Sequence, residues 1–316
     1  MRNTVSIGID IGGTNTVYGF ITEDGSVIDY EEIPTRGDES IINLIDRLDS
    51  RIKIFFEKKS DTKLLGIGIG APNGNHFSGR IQDPPNLSWG DVDIVSLFKE
   101  RFNCDTILTN DANAAALGEK SYGVAQDMND FIVITLGTGL GSGIFSGGKL
   151  VYGYDGFAGE MGHMPIEFGG RSCNCGNEGC LESYASASGI KKTVQELLKS
   201  NPEDTFLKSI SLEKIDGITI DNAFDSGNKT AKKIYEYTGE HLGRGLAQAA
   251  NLLSPEAFIF YGGFSNAGER LLNPAKKSMD KYLINGHAKT INLLQSGLPK
   301  GQAGILGAAS LIWTKT

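Results

Sequence analysis

Apolar runs of four to six residues alternate along this chain with longer stretches in which apolar positions recur every three or four residues. That alternation is the pattern of a mixed α/β protein. Residues 5–10 and 16–21 predict two paired strands, with a turn at Glu23-Asp24-Gly25 ahead of a third. Over residues 41–56 the apolar positions 41, 45, 48, 52 and 55 fall on one face of a helix. Residues 64–70 predict a buried strand, and Thr106-Ile107-Leu108-Thr109 another, which runs into Asn110-Asp111 and an alanine-rich helix. Helices are expected near 186–199 and 230–253, a strand over 257–261 ending in Gly262-Gly263, and a closing apolar helix over 304–313. Ile7-Gly8-Ile9-Asp10-Ile11-Gly12-Gly13-Thr14 is echoed by Ile132-Val133-Ile134-Thr135-Leu136-Gly137-Thr138-Gly139. In each, an apolar strand enters a Gly-Thr turn and a second strand, so two related half-structures are expected. Their spacing is far too long for a solenoid.

Composition changes the picture in only a few respects. At 316 residues, 40% hydrophobic and 22% charged, the chain is ordinary globular material with room for two domains. A net charge of -8 gives no basic footprint for nucleic acid, so no such partner is expected. No run of about 18 apolar residues is present, and Thr4-Val5-Ser6-Ile7-Gly8-Ile9 reads as a strand too close to Met1 for a signal peptide. A cytoplasmic protein acting on small molecules is the expectation, with no membrane partner. The 42 glycines, free of Pro or Ser runs, are assigned to turns and close backbone approaches.

Two Gly-Thr turns after buried strands can bring backbone N–H groups and a hydroxyl close to phosphate oxygens. Asp10, at the end of its strand, is placed to hold Mg²⁺ through water. The plain alternative is a pair of tight hairpin turns whose glycines supply positive φ. Residues 143–149 match G-x-x-x-x-G-K, but Leu150 stands where a P-loop needs Ser or Thr. Residues 66–71 match a dinucleotide fingerprint, yet Pro72 and Gly74 follow where its helix must begin. Both motifs are rejected. Asn110-Asp111 falls at a strand-to-helix junction, where open α/β sheets bind ligands, and a carboxylate there can accept a proton from a hydroxyl. Helix capping by Asp111 is the competing reading.

Three of the four cysteines lie in Cys173-x-Cys175-x4-Cys180, and His163 completes a Cys₃His set suited to structural Zn²⁺. Buried free thiols or a redox loop are the alternatives. Glu160, His163 and Glu182 bring two carboxylates and an imidazole to the same region, so the metal would shape a polar pocket rather than do chemistry.

With these pieces assembled, the chain resembles the ROK family of sugar kinases and sugar-responsive repressors, most closely its bacterial glucokinases. The resemblance runs from Val5 to the last helix. It is carried by Gly159-Glu160-Met161-Gly162-His163 with Cys173-Asn174-Cys175-Gly176-Asn177-Glu178-Gly179-Cys180-Leu181-Glu182, and by Asp10-Ile11-Gly12-Gly13-Thr14-Asn15. Leu108-Thr109-Asn110-Asp111-Ala112-Asn113-Ala114-Ala115 and Leu136-Gly137-Thr138-Gly139-Leu140-Gly141 complete it.

The resemblance implies an actin-like ATPase (ribonuclease H-like) fold, with two α/β domains flanking a cleft. The smaller would take residues 1–110 plus 304–316, the larger 111–303 with the zinc site. It implies transfer of the γ-phosphoryl of Mg-ATP to the 6-hydroxyl of glucose, with Asp111 as general base. Asn110, Glu160, His163 and Glu182 would hold the sugar, and His163, Cys173, Cys175 and Cys180 the zinc. Gly12, Gly13, Thr14, Thr138 and Gly139 would face the ATP phosphates, and Gly262 and Gly263 would lie under the adenosine. A homodimer is also implied. An ordinary carboxylate at Asp111 is expected to suffice, because phosphoryl transfer asks chiefly for alignment and charge stabilisation. An N-acetylmannosamine or N-acetylglucosamine kinase is the rival within the family. A sugar-sensing repressor is the rival outside enzymes, although the residues before Val5 leave no room for a helix-turn-helix. Two positions depart from the family pattern: Asn73 follows Pro72 where Gly is usual, and Asn15 stands where Lys is frequent.

Overall fold

The computed structural model describes residues 3–85, 87–200, 204–284 and 290–314. The chain opens with strands β1 (Asn3–Ile11), β2 (Asn15–Ile21) and β3 (Val27–Pro34), followed by helix α1 (Ile41–Lys58) and strand β4 (Thr62–Ala71). A small hairpin, β5 (Gly74–Asn75) with β6 (Arg80–Ile81), and helix α2 (Ile94–Phe102) lead to β7 (Asp105–Asn110) and α3 (Asp111–Tyr122). The second series begins with β8 (Phe131–Leu136), β9 (Leu140–Ser146) and β10 (Lys149–Leu150). It continues through α4 (Glu182–Ala185), α5 (Ala187–Ser200), α6 (Thr205–Lys208), α7 (Gly217–Asp225) and α8 (Lys229–Leu253). Strand β11 (Ala257–Tyr261), helix α9 (Glu269–Tyr282), strand β12 (Asn292–Gln295) and helix α10 (Ala303–Trp313) close it.

The two main sheets have the orders β3-β2-β1-β4-β7 and β10-β9-β8-β11-β12. With the small hairpin set aside, each reads third, second, first, fourth, fifth. The first three strands of each are antiparallel, and the fourth and fifth join in parallel. The echo between residues 7–14 and 132–139 is therefore a repeat of topology, as expected from the sequence.

Alternation in β1 buries Val5, Ile7, Ile9 and Ile11 on one face, where they share a core with Ile41, Leu44, Ile45, Leu48, Ile52 and Phe55 of α1. That helix starts where the Ser40 side chain accepts from the Ile42 N–H. The other face of the sheet lacks bulk, and α10 lies on it at backbone distance. A Cβ on Gly68 would stand 1.7 Å from the Ala308 carbonyl oxygen, and one on Gly307 only 1.6 Å from that of Ala114. Close approach is thus what these glycines supply. Ala115 and Ala116 of α3, Phe131 and Val133 of β8, and Ile305, Leu306 and Ala309 of α10 form a core between the two sheets. The opposite face of the second sheet packs Ile132 and Ile134 with Ile190 and Val194 of α5 and Leu242 and Leu246 of α8.

Helices α2, α7 and α9 and strand β12 are additions to the elements read from the sequence. In α9 the cause is visible: Pro274 interrupts the pattern, and the helix is held from outside by α8, whose Gly239 lets the proline ring approach. Residues 66–71 lie within β4, and residues 143–149 run through the β9–β10 hairpin, whose turn has Gly147 and Gly148 at φ 58° and 75°. Neither rejected motif has the helix it would need. Among the described residues no helix is long and apolar enough to cross a membrane.

Candidate functional site

The parallel strands β1, β4 and β7 end together, with Asp10 opposite Gly70, Gly70 opposite Thr109, and Ala71 opposite Asn110. A Cβ on Gly70 would lie 3.9 Å from Asp10 Oδ1 and 3.7 Å from the Asp111 Cα, so this position without a side chain lies between the Asp10 carboxylate and the Asp111 backbone. Capping of α3 falls to Asn110 rather than Asp111. Its Oδ1 accepts from the Ala112 N–H at 2.9 Å and the Asn113 N–H at 3.4 Å. Asp111 adds a 2.8 Å bond from the Ala112 N–H to its Oδ1 and is otherwise exposed to the cleft.

Burial pushes the Asp10 carboxyl up to about 7, and the neighbouring Asp111 charge adds to it. Loss of bulk solvation likewise raises Asp111, with the Ala112 N–H and the Asn110 side chain pulling the other way. The Asp111 carboxyl thus holds its proton more tightly than a solvated carboxyl does. It opens to water on one side only, and the surrounding protein penalises its charge.

The hairpin tip after Asp10 is closed by the Gly12 N–H donating to the Asn15 carbonyl at 2.9 Å. Thr35, fully buried, braces it from β3's end: its N–H donates to the Thr14 carbonyl at 2.7 Å and its hydroxyl to the Gly12 carbonyl at 2.7 Å. Gly13 and Thr14 are left exposed at the tip. The Asn15 side chain turns along the hairpin and donates to Glu32, which accounts for that departure from the family pattern. Asn73 takes the left-handed conformation at φ 52°, where Asn is tolerated, and donates to the Gln82 carbonyl at 2.9 Å.

The second sheet presents its own strand ends to the same space. After β8 the turn is closed from Gly137 N–H to Gly139 carbonyl at 3.1 Å, and Thr138 is exposed. After β11, Gly262 at φ 106° backs onto β8, where a Cβ would meet the Leu136 carbonyl oxygen at 2.5 Å. Gly263 faces open space. Tyr261 connects the sheets: burial raises its phenol, and the Asp10 charge raises it further.

His163 closes a short helical turn, Met161–His163, and its two ring nitrogens face different groups. Nδ1 lies 3.6 Å from Cys173 Sγ, while Nε2 lies 3.8 Å from Glu160 Oε2. The Cys175 and Cys180 sulfurs are 3.7 Å apart, and all four ligand atoms fall within 4.8 Å of one another. A tetrahedron with arms of about 2.3 Å has edges of about 3.8 Å, so this donor set fits Zn²⁺ in chemistry and in size. A disulfide would need a sulfur separation near 2.05 Å. Burial, then the neighbouring thiols, push Cys180 up to about 12; a divalent cation would reverse that order.

A metal on Nδ1 would put the His163 proton on Nε2, which faces Glu160. Burial raises Glu160, with His163 opposing and Asp111 and Glu182 reinforcing. These groups therefore share one electrostatic neighbourhood across the cleft. Glu182 opens α4 directly after the cysteine loop, and its Oε2 accepts from the Leu140 N–H at 2.8 Å. One of its oxygens is thus spent on the turn that carries Thr138 and Gly139.

Sequence reading missed Thr35 and also Arg171. The Arg171 side chain, 11% exposed, donates to the Ser183 and Gly189 carbonyls and to Thr193, pairs with Glu196 and stacks over the Tyr184 ring. It pins the cysteine loop to α4 and α5. A lone arginine in a glycine-rich loop carries no pattern that announces such a role.

The sequence pattern of the ROK family matches residues 6–315. The chain is 35% identical over 315 residues to the glucokinase of Halalkalibacterium halodurans, covering 97% of this chain and 94% of that protein. It is 32% identical over 314 residues to the xylose repressor of Bacillus spizizenii, covering 97% of this chain and 76% of the repressor. The crystal structure of a ROK family glucokinase from Streptomyces griseus, in complex with glucose and AMPPNP, superposes with a TM-score of 0.81 at 33% identity, covering 97% of this chain and 98% of that one.

Proposed function

The chain belongs to the ROK family, with its actin-like ATPase fold, and we propose that it is an ATP-dependent hexose kinase whose acceptor is the 6-hydroxyl of glucose. The observation that carries this reading is that Glu160, 3.8 Å from His163, lies near enough to Asp111 for its charge to raise the Glu160 carboxyl, with glycine turns ending strands of both sheets.

The exposed tip Gly12-Gly13-Thr14 and the turn Thr138-Gly139 offer backbone N–H groups and hydroxyls to the ATP phosphates. Gly262 lets the turn lie against β8, and Gly263 beside it faces the open space in which the adenosine would lie. Asp10 would hold Mg²⁺ through water, where the ion would offset charge on the β- and γ-phosphates. The Asp10 carboxyl, raised by burial and by the Asp111 charge, and the Asp111 carboxyl, raised by burial, suit a cation between them and the phosphates.

The sugar lies against Asn110 Nδ2, Glu160, the His163 Nε2–H and the remaining oxygen of Glu182. Asp111 takes the proton of the 6-hydroxyl late in the transfer, and its raised affinity for a proton improves the match to that task. Zn²⁺ in the His163, Cys173, Cys175, Cys180 set would brace the loop that delivers His163 and Glu182. Residues 1–110 plus 304–316 and 111–303 act as two lobes around the cleft, and closure around sugar suppresses transfer to water. The enzyme works as a cytoplasmic homodimer.

The test is ADP release across a hexose panel that includes N-acetylmannosamine and N-acetylglucosamine. Glucose should give the highest kcat/KM, and Asp111→Asn should lower turnover about 10²- to 10⁴-fold. A wild-type rate in Asp111→Asn would refute the base. No phosphorylation of any hexose, together with sequence-specific DNA retention, would replace the kinase with a repressor.

A further inference from the structure

The two halves also touch on the side of the cleft away from the cysteine loop. Residues 74–78, after β4, lean against residues 152–156, after β10. Gly74 sits so close to β7 that a Cβ would lie 2.5 Å from the Thr109 carbonyl oxygen. The segment is therefore seated on the strand end that delivers Asn110 and Asp111. Asn75, 5% exposed, donates from Nδ2 to the Asp155 carbonyl at 2.6 Å, while its Oδ1 accepts from the Phe77 and Ser78 N–H groups at 3.0 and 3.1 Å. His76 Nδ1 lies 3.0 Å from the Leu108 carbonyl oxygen. A carbonyl only accepts, so this nitrogen carries the proton and donates. The His76 ring stacks on Tyr152 with centroids 4.2 Å apart and planes 10° from parallel. Burial raises the Tyr152 phenol, and the Thr109 hydroxyl nearby opposes it.

The stack thus holds β7 through His76 at Leu108, while Gly74 of the same segment lies against Thr109, just before Asp111. Resting on the hexose-kinase reading, we propose that Tyr152 and His76 are positioning residues: their stack across the cleft clamps the end of β7 and fixes how Asp111 is presented to the acceptor hydroxyl. Neither side chain is assigned contact with sugar or nucleotide. Their influence passes through the strand end, and a displacement of about 1 Å at a reacting group is enough to cost about 10²-fold in rate. Tyr152 and His76 lie outside the motifs that carry the family resemblance.

The experiment compares full-length wild type with Tyr152→Ala, Tyr152→Phe, His76→Ala and His76→Phe, measuring kcat and KM for glucose and ATP, ADP release without sugar, and thermal melting. Tyr152→Ala is expected to lower kcat about 10- to 100-fold while the KM for ATP changes less than about 2-fold. The fraction of ADP released without sugar phosphorylation should rise. Tyr152→Phe keeps the stack and should recover most of the rate, whereas His76→Phe loses the bond to Leu108 and should stay as slow as His76→Ala. A merely structural role would lower the melting temperature without separating kcat from KM or uncoupling ADP release from transfer. A folded Tyr152→Ala with wild-type kcat overturns the proposal, as does a Tyr152→Phe no better than Tyr152→Ala. If Tyr152→Ala does not fold, the His76 variants decide: wild-type kcat in His76→Ala or His76→Phe overturns the proposal. Wild type that phosphorylates no hexose overturns the kinase reading and the proposal with it; active wild type with an unaffected Tyr152→Ala overturns the proposal alone.

Discussion

Asp10→Asn isolates the cost of crowding a carboxylate into the cleft. Burial and the Asp111 charge lift the Asp10 carboxyl from 3.8 to about 7 in the folded protein. The native state therefore holds this proton more tightly than the unfolded chain does, and stability falls as pH rises from about 4 through about 7. A shift of roughly three units at 1.36 kcal/mol each sets a ceiling of about 4 kcal/mol. Water reaching the cleft and an effective dielectric well above that of dry protein reduce this to about 1–3 kcal/mol. The neutral isostere does not carry that penalty. Urea unfolding of wild type and Asp10→Asn, in EDTA, at about pH 5 and about pH 8 measures it as a difference of differences. The variant should be the more stable protein at the higher pH, by about 1–2 kcal/mol more than at the lower, and should have lost phosphoryl transfer. An unchanged stability difference across that range would refute the account of a carboxyl raised by its surroundings.

Metal analysis should find about one Zn²⁺ per chain, and Cys175→Ser should lose metal and glucose affinity together, as read by metal content and by KM. Metal-free protein with full activity would overturn the role given to the cysteine loop. Gly68→Ala places a methyl group 1.7 Å from the Ala308 carbonyl oxygen, backbone that has no room to yield, and should cost about 3 kcal/mol or more in urea unfolding. Wild-type stability in that variant would show that α10 does not bear on β4 as described.

What the sequence disclosed was local. The face of α1 follows from apolar residues three and four apart, and the Cys₃His set from four ligands within 18 positions of chain, Cys173 to Cys180 with His163 just ahead. The Asn110-Asp111 junction followed from an apolar strand meeting an alanine-rich helix. What stayed hidden depends on partners distant in sequence. Asn75 meets Asp155 at a separation of 80 residues, and Thr35 reaches back 23 residues to brace Gly12. The division of labour between Asn110 and Asp111 needed backbone geometry, since both residue types cap helices well. The raised carboxyls of Asp10 and Asp111 needed to be seen side by side, because burial and neighbouring charge are properties of the assembled cleft.

The crossing of α10 over the first sheet sets a timetable for biosynthesis. Ser6 donates to the Ala309 carbonyl across 303 residues, and Gly68 lies bare until Ala308 arrives. A nascent chain on the ribosome can form the hairpins of its amino-terminal half early, but the sheet that presents Asp10 and Asp111 is covered only once α10 has been made. A product stalled or clipped before α10 would display glycine-faced strand surface to chaperones and proteases.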